Sequence, residues 1–266
     1  MAYFIVAGQH SPNWLYALVL FFLCLSFIVE ALLPYRAEFN KPQGDRLRDF
    51  LHGFVNEALV VVGIFLLPLV SSYLPVLWHW PISWPLWTQL ILAIFIADIG
   101  ITLTHFLSHK IQFLWRFHAV HHSVKRMYGF NGLMKHPLHQ IIETAAGITP
   151  LLLMGTPPEV ISLLGTAVVL QLLLQHSNVN YCSGVLKHVL AVNCVHRFHH
   201  LNTKEGDVNF GLFTTMVDRV LGTYYYDSQR EISIADLGIS SKPDFPTNYI
   251  SQLVYPFKHE QKSSFD

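Results

Sequence analysis

Histidine is the outlier of this chain: 16 of 266 residues, against 17 lysines and arginines together. Nine of them fall in four short stretches. His105 and His109 stand in THFLSH, and His118, His121 and His122 in WRFHAVHHS. His176 stands in LLQHSN, and His196, His199 and His200 in VHRFHH. The pattern H-x-x-H-H is therefore written twice, and positions i, i+3 and i+4 share one face of a helix. A single histidine on an apolar surface is as often a hydrogen-bonded structural residue as a ligand. Many neutral imidazoles crowded into a poorly hydrated place leave lone pairs unsatisfied. A metal ion removes that cost, and imidazole is the commonest metal ligand. Nine ligands exceed what one ion takes; they suit two ions with about four or five nitrogens each, with positions left for oxygen or water. Imidazole admits Zn, Cu, Fe and Ni, so ligand type leaves the metal open. No H-E-x-x-H occurs, which opposes the common metalloprotease plan, and iron is favoured if the task is oxygen activation.

These residues can meet only if the chain brings them to one place, and its composition says how. Hydrophobic residues make up 52% and charged residues 13%, with a mean hydropathy of +0.37. That is the composition of a membrane protein. Apolar runs cover 14–33 (interrupted by Glu30), 58–78 and 80–107 (interrupted by Asp98). Each approaches the ~20 residues a membrane helix needs. Two shorter runs, 144–158 and 160–175, flank the turn signal GTPP at 155–158 and predict a helical hairpin. The expected organisation is one all-α membrane domain over 1–266: a bundle of about four to five membrane segments under a helical, histidine-rich cap. Three helices lie in 13–107, a histidine-rich segment in 108–138, the hairpin in 139–176 and the cap in 177–266. The N-terminus lacks a basic leader region, so the first run reads as a retained helix.

All 17 lysines and arginines fall on one side of that topology. The positive-inside rule places this side, with the histidines and C-terminus, in the cytoplasm and the N-terminus outside, in a bacterial inner membrane or endoplasmic reticulum. Acidic and basic residues balance at 17 each, which suggests no nucleic-acid partner. Cys24, Cys182 and Cys194 show no disulfide or metal spacing, and Cys194 reads as packing despite its neighbours. Asp98, two helical turns before His105, is an expensive carboxylate within a membrane helix. It is expected to hold the outer N–H of a ligand histidine. Trp78, Trp80, Trp84 and Trp87 read as an aromatic belt at the opposite interface.

DIGITLTHFLSH, WRFHAVHHS, HSNVNYCSGVL and VHRFHHLNTKEGDVNFGLFTTMVDRVLGTYY together resemble the fatty acid hydroxylase/sterol desaturase superfamily across residues 90–226. The resemblance implies a membrane enzyme with a histidine-ligated di-iron centre. It implies O2 as co-substrate and the hydroxylation or desaturation of a sterol, fatty acyl chain or similar lipid entering from the bilayer. By match, His105, His109, His118, His121, His122, His196, His199 and His200 are the ligands, with His176 the ninth; zinc is an expected replacement in purified protein. Three positions depart from the family pattern: Phe106 replaces an arginine, Lys135 stands before His136-Pro137 in place of an arginine, and His139 takes an acidic position. His136 and His139 are read as supporting rather than ligating, and Asn209 and Asp218 as shaping the cap. No dinucleotide fingerprint or C-x-x-C-H haem motif is present, so electrons come from a separate donor protein or a small reductant. The rival readings are a zinc-dependent membrane hydrolase and a metal transporter or sensor, whose sites lie nearer the bilayer midplane.

Overall fold

The computed structural model describes residues 1–11, 13–181 and 183–258; Cys182 and Lys262 lie outside them. The described residues are helical, with no strand. After a short α1 (Ala2–Ala7) come α2 (Asn13–Leu32), α3 (Arg46–Tyr73) and α4 (Leu86–Lys110). The histidine-rich α5 (Gln112–His122) follows, then α6 (Pro137–Leu153), α7 (Pro158–His176) and three short helices, α8 (Asn193–His199), α9 (Met216–Leu221) and α10 (Tyr249–Val254).

Four helices, α2, α3, α4 and α7, are long and apolar enough to cross a membrane. Only 11 to 44% of their apolar windows is buried within the protein. Their remaining faces are Leu, Ile, Val and Phe side chains, surface that water would not tolerate in one contiguous belt. The chain is a membrane protein, as expected. The two shorter apolar runs are α6 and α7, which both pack against α4. Gly155 turns the chain between them at φ +67°, where a side chain would be strained. His136 and Pro137 start α6 as its cap and first residue.

α3 departs from the hydropathy reading. It starts at Arg46, well before the apolar run at 58. Its 28 residues span about 42 Å, longer than the ~30 Å hydrocarbon core. The first three turns carry Arg48, Asp49, His52 and Asn56, all buried. Arg48 pairs with Asp49 on the same helix, and the other three have partners from outside it. Asp49 accepts from Tyr128 Oη at 2.8 Å, and Asn56 donates to the carbonyls of Leu133 and Lys135 at 2.9 and 3.0 Å. Beside them Arg126 grips Asp45 with two nitrogens at 2.7 and 3.0 Å. Buried charge hid the helix from a search for apolar runs.

Helices α2, α4 and α7 end, and α3 and α6 begin, at the same end of the bundle. Glu30 near the end of α2 accepts from the backbone N–H of Gly129 (2.6 Å) and Asn178 (3.0 Å), which ties three segments together there. Gly100 lets α4 approach α6 closely: a Cβ at that position would strike the carbonyl of Ala146. Of the four tryptophans, Trp78, Trp84 and Trp87 are exposed as a belt requires, but Trp80 is buried in the core and donates to Gln89 Oε1 at 2.7 Å.

Candidate metal centre

All nine histidines meet at this end of the bundle, in two groups. His105 and His109 from α4, His118 and His122 from α5, and His199 from α8 form one group of five. His121 from α5, His176 at the end of α7, and His196 and His200 around α8 form a group of four. Within each group one ring nitrogen per residue lies within 4.8 Å of all the others. The repeated motif acquires a physical reason. In H118-x-x-H121-H122, positions i and i+4 enter the first group and i+3 the second. In H196-x-x-H199-H200 the assignment is reversed. Each motif straddles both groups, because i and i+4 point nearly together while i+3 leans to the other side of the helix.

The nitrogens face one another closely. Nε2 of His118 lies 3.0 Å from Nε2 of both His105 and His122, and the His109–His122 separation is 3.1 Å. In the second group, His176 Nε2 lies 3.1 Å from His121 and His196 and 3.3 Å from His200, with His196 and His200 3.2 Å apart. Two imidazole nitrogens bound at ~2.0–2.1 Å to one ion stand about 3.0–3.4 Å apart, depending on the angle between them.

Proton bookkeeping makes the same point. His105 Nδ1 donates to the carbonyl of Phe210 (2.8 Å), His121 Nδ1 to Met134 (3.0 Å), His176 Nδ1 to Leu172 (3.0 Å) and His199 Nδ1 to Val208 (2.8 Å). A neutral imidazole carries one proton. His121 and His176 therefore aim two bare lone pairs at each other across 3.1 Å. Extra protons are not available to bridge them. Burial first, and neighbouring imidazoles second, push His118, His121, His122 and His196 well below the ordinary histidine range. His199 and His200 are lowered for the same reasons. A cation between the nitrogens fits this donor set; two like lone pairs alone do not.

His109 is held by a residue that sequence reasoning missed. Its Nδ1 donates to Asp207 Oδ1 at 2.9 Å, and Lys110 Nζ reaches the other oxygen at 2.5 Å. These bonds hold the Asp207 carboxyl well below the usual carboxylate range. Asp207 lies inside the NTKEGDVNFG stretch, but nothing in its spacing distinguishes it from Glu205. A cavity of about 160 Å³, lined by His109, Trp115, His122, His199 and Asp207 among others, reaches the first group from outside the bundle.

Asp98 requires a correction. Among the described residues it bonds no histidine; it accepts from the backbone N–H of Leu212, Phe213 and Thr214 (3.2, 2.8 and 3.0 Å) and from Thr214 Oγ1 (2.6 Å). It thereby fixes the 210–214 loop, whose Phe210 carbonyl receives His105. Asp218 holds the same loop from the other side, accepting from the N–H of Phe210 and Gly211, both at 2.8 Å. Asn209, at φ +55°, bonds Val195 and Tyr225. Asp218 and Asn209 thus shape the cap as expected. His136 caps α6 and lies 3.2 Å from the Leu253 carbonyl, away from both groups. Cys194 contacts Ser183 at 3.5 Å and belongs to neither group.

Fold and site together define a helical membrane protein with a polyhistidine site fit for metal at one end of its helices. The fatty acid hydroxylase family pattern matches residues 90–223, half of the chain. An ornithine lipid hydroxylase of Rhizobium tropici is 30% identical across 97% of this chain and 80% of its own length. An alkylglycerol monooxygenase of Danio rerio is 28% identical across 58% of this chain and 33% of its own. No solved structure matches the chain. The chain belongs to the fatty acid hydroxylase family, and it is an oxidoreductase.

Proposed function

We propose that this protein hydroxylates an acyl lipid of the bilayer with O2, at a two-iron centre held by His105, His109, His118, His122 and His199 on one side and His121, His176, His196 and His200 on the other. The observation that carries the reading is the facing of bare Nε2 lone pairs at 3.0–3.3 Å within two separate buried groups. Bound iron would supply the activation of O2 and the cleavage of an unactivated C–H bond. One oxygen atom enters the lipid; the other leaves as water, with two electrons and two protons from a separate donor protein. Hydroxylation is favoured over desaturation by the names of both relatives. An amino-acid-headed lipid of the ornithine type is the substrate class to test first, because that relative aligns along nearly the whole chain.

The chain's own residues do the rest. Carbonyls of Phe210, Met134, Leu172 and Val208 and the Asp207 carboxylate fix which nitrogen of His105, His121, His176, His199 and His109 faces inward. Burial keeps those nitrogens unprotonated, and the cavity beside His109 and Trp115 gives the first group a polar opening. The cationic distribution supports a cytoplasmic site and C-terminus with the N-terminus outside. The single membrane domain carries its own cap, and lipid would reach the site along the apolar helix faces.

Expression in a host that makes ornithine lipids, followed by mass spectrometry of its membranes, tests the reading. The expected result is a lipid one oxygen atom heavier that disappears in His121→Ala. An unchanged lipid profile across acyl, ether and sterol classes, with iron-loaded protein and a reductant present, would overturn it.

A further inference from the structure

One further buried cluster shares only His118 with the two histidine groups. His118, His139 and Glu143 each bring a ligand-type atom within 4.8 Å of the others, all three residues being at most 3% exposed. Each also has a polar atom without a hydrogen-bond partner among the described residues: His118 Nδ1, His139 Nδ1 and Glu143 Oε1. Glu143 is otherwise fixed. Its Oε2 accepts from the buried ammonium of Lys135. His118 differs from the first-group neighbours His105, His109 and His199, whose outer nitrogens each reach an oxygen. His196 and His200 also have an unpartnered Nδ1, but among the described residues no carboxylate is grouped with them.

The protons can be assigned from the neighbours. The Ser108 hydroxyl has one hydrogen, which it donates to the Thr104 carbonyl at 2.7 Å. It must therefore accept from His139 Nε2–H, which lies 2.9 Å away. That leaves His139 Nδ1 as a bare acceptor, 3.7 Å from Glu143 Oε1, too far and of the wrong kind for a bond between them. With His118 Nε2 turned toward His105 and His122, its proton sits on Nδ1. The cluster thus presents one donor and two acceptors.

We propose that this cluster binds a single water molecule, and that Lys135, His139 and Glu143 position His118 through it. A water accepts the His118 N–H and donates one hydrogen to His139 and the other to Glu143, which uses three bonds, the usual number for a buried water. A cation fits worse. It would require His118 to lose its Nδ1 proton, and it would stand beside the Lys135 ammonium. The water carries the negative charge of Glu143 to the outer face of His118, which fixes the ring and raises the basicity of Nε2. The proposal rests on His118 being a metal ligand.

A high-resolution structure of the metal-loaded protein tests it, with the rate of metal loss to a chelator as second readout. Density at hydrogen-bond distance from all three atoms, with no anomalous signal there, is the expected result. Glu143→Gln should lose metal ~10–100-fold faster than wild type while remaining monodisperse in detergent. Glu143→Asp should recover part of that difference. If Glu143→Gln does not fold, His139→Leu, which removes one acceptor, should also speed metal loss. Wild-type rates in every variant that folds, an anomalous peak at the cluster, or absence of density would each overturn the proposal. Failure of lipid hydroxylation alone would overturn the functional reading and leave this one standing, because neither readout uses substrate.

Discussion

At the scale of single residues, the account turns on which nitrogen faces which. His121→Ala removes a nitrogen from the group of four and His199→Ala one from the group of five. Each is expected to abolish product formation while membrane insertion, read by protease protection, stays normal; near-normal product in either variant would remove that residue from the ligand set. Asp207→Asn keeps a hydrogen-bond acceptor for His109 but loses the charge. It should weaken metal binding ~10–100-fold, measured by competition with a chelator. The histidines were legible in sequence because their chemistry lies in type and spacing together. The acids that matter were not. Asp207 sits in a polar loop among similar residues, and Glu143 looks like an ordinary charge in an apolar helix until Lys135 and His118 are seen beside it.

Among elements, the helix ends and the 210–214 loop deliver the site. Asp98 was expected to hold a ligand histidine and holds a loop instead. Its cost within a helix drew attention to it, but four of its five donors come from residues 212–214, more than a hundred positions away, and the fifth is Thr102 on its own helix. Asp98→Ala leaves those buried donors unpaired at about 1–3 kcal/mol each. A lower melting temperature and reduced activity at unchanged protein level are expected; unaltered melting would contradict the clamp. The turn between α6 and α7 was legible from GTPP and its two flanking apolar runs. The first three turns of α3 were not, because Arg48, Asp49, His52 and Asn56 read as a polar loop. Distant segments supply the partners of three of them: residues 133 and 135 for Asn56, Tyr128 for Asp49 and Gln252 for His52.

For the whole molecule, the buried imidazoles make stability depend on pH. His118, His121, His122, His196, His199 and His200 have pKa values lowered below the unfolded value. The unfolded chain therefore binds protons below about pH 6.5 that the native state refuses. Their stabilising contribution is complete above that pH and is lost progressively as pH falls toward the depressed folded values. Metal loss follows the same direction, since ligation needs the neutral ring. Melting curves in detergent between pH 8 and pH 5 should show a steepening fall below about 6.5; a flat profile would contradict neutral buried histidines. Membrane residence was legible from composition and run length alone, and the helix faces left uncovered by the protein agree with it.

The most direct test is isotopic. Purified, iron-loaded protein supplied with membrane lipid, a reductant and 18O2 should yield a hydroxylated lipid carrying one 18O atom. Label arriving from 18O-water instead, or consumption of lipid with no O2 uptake, would contradict an oxygenase at this histidine centre.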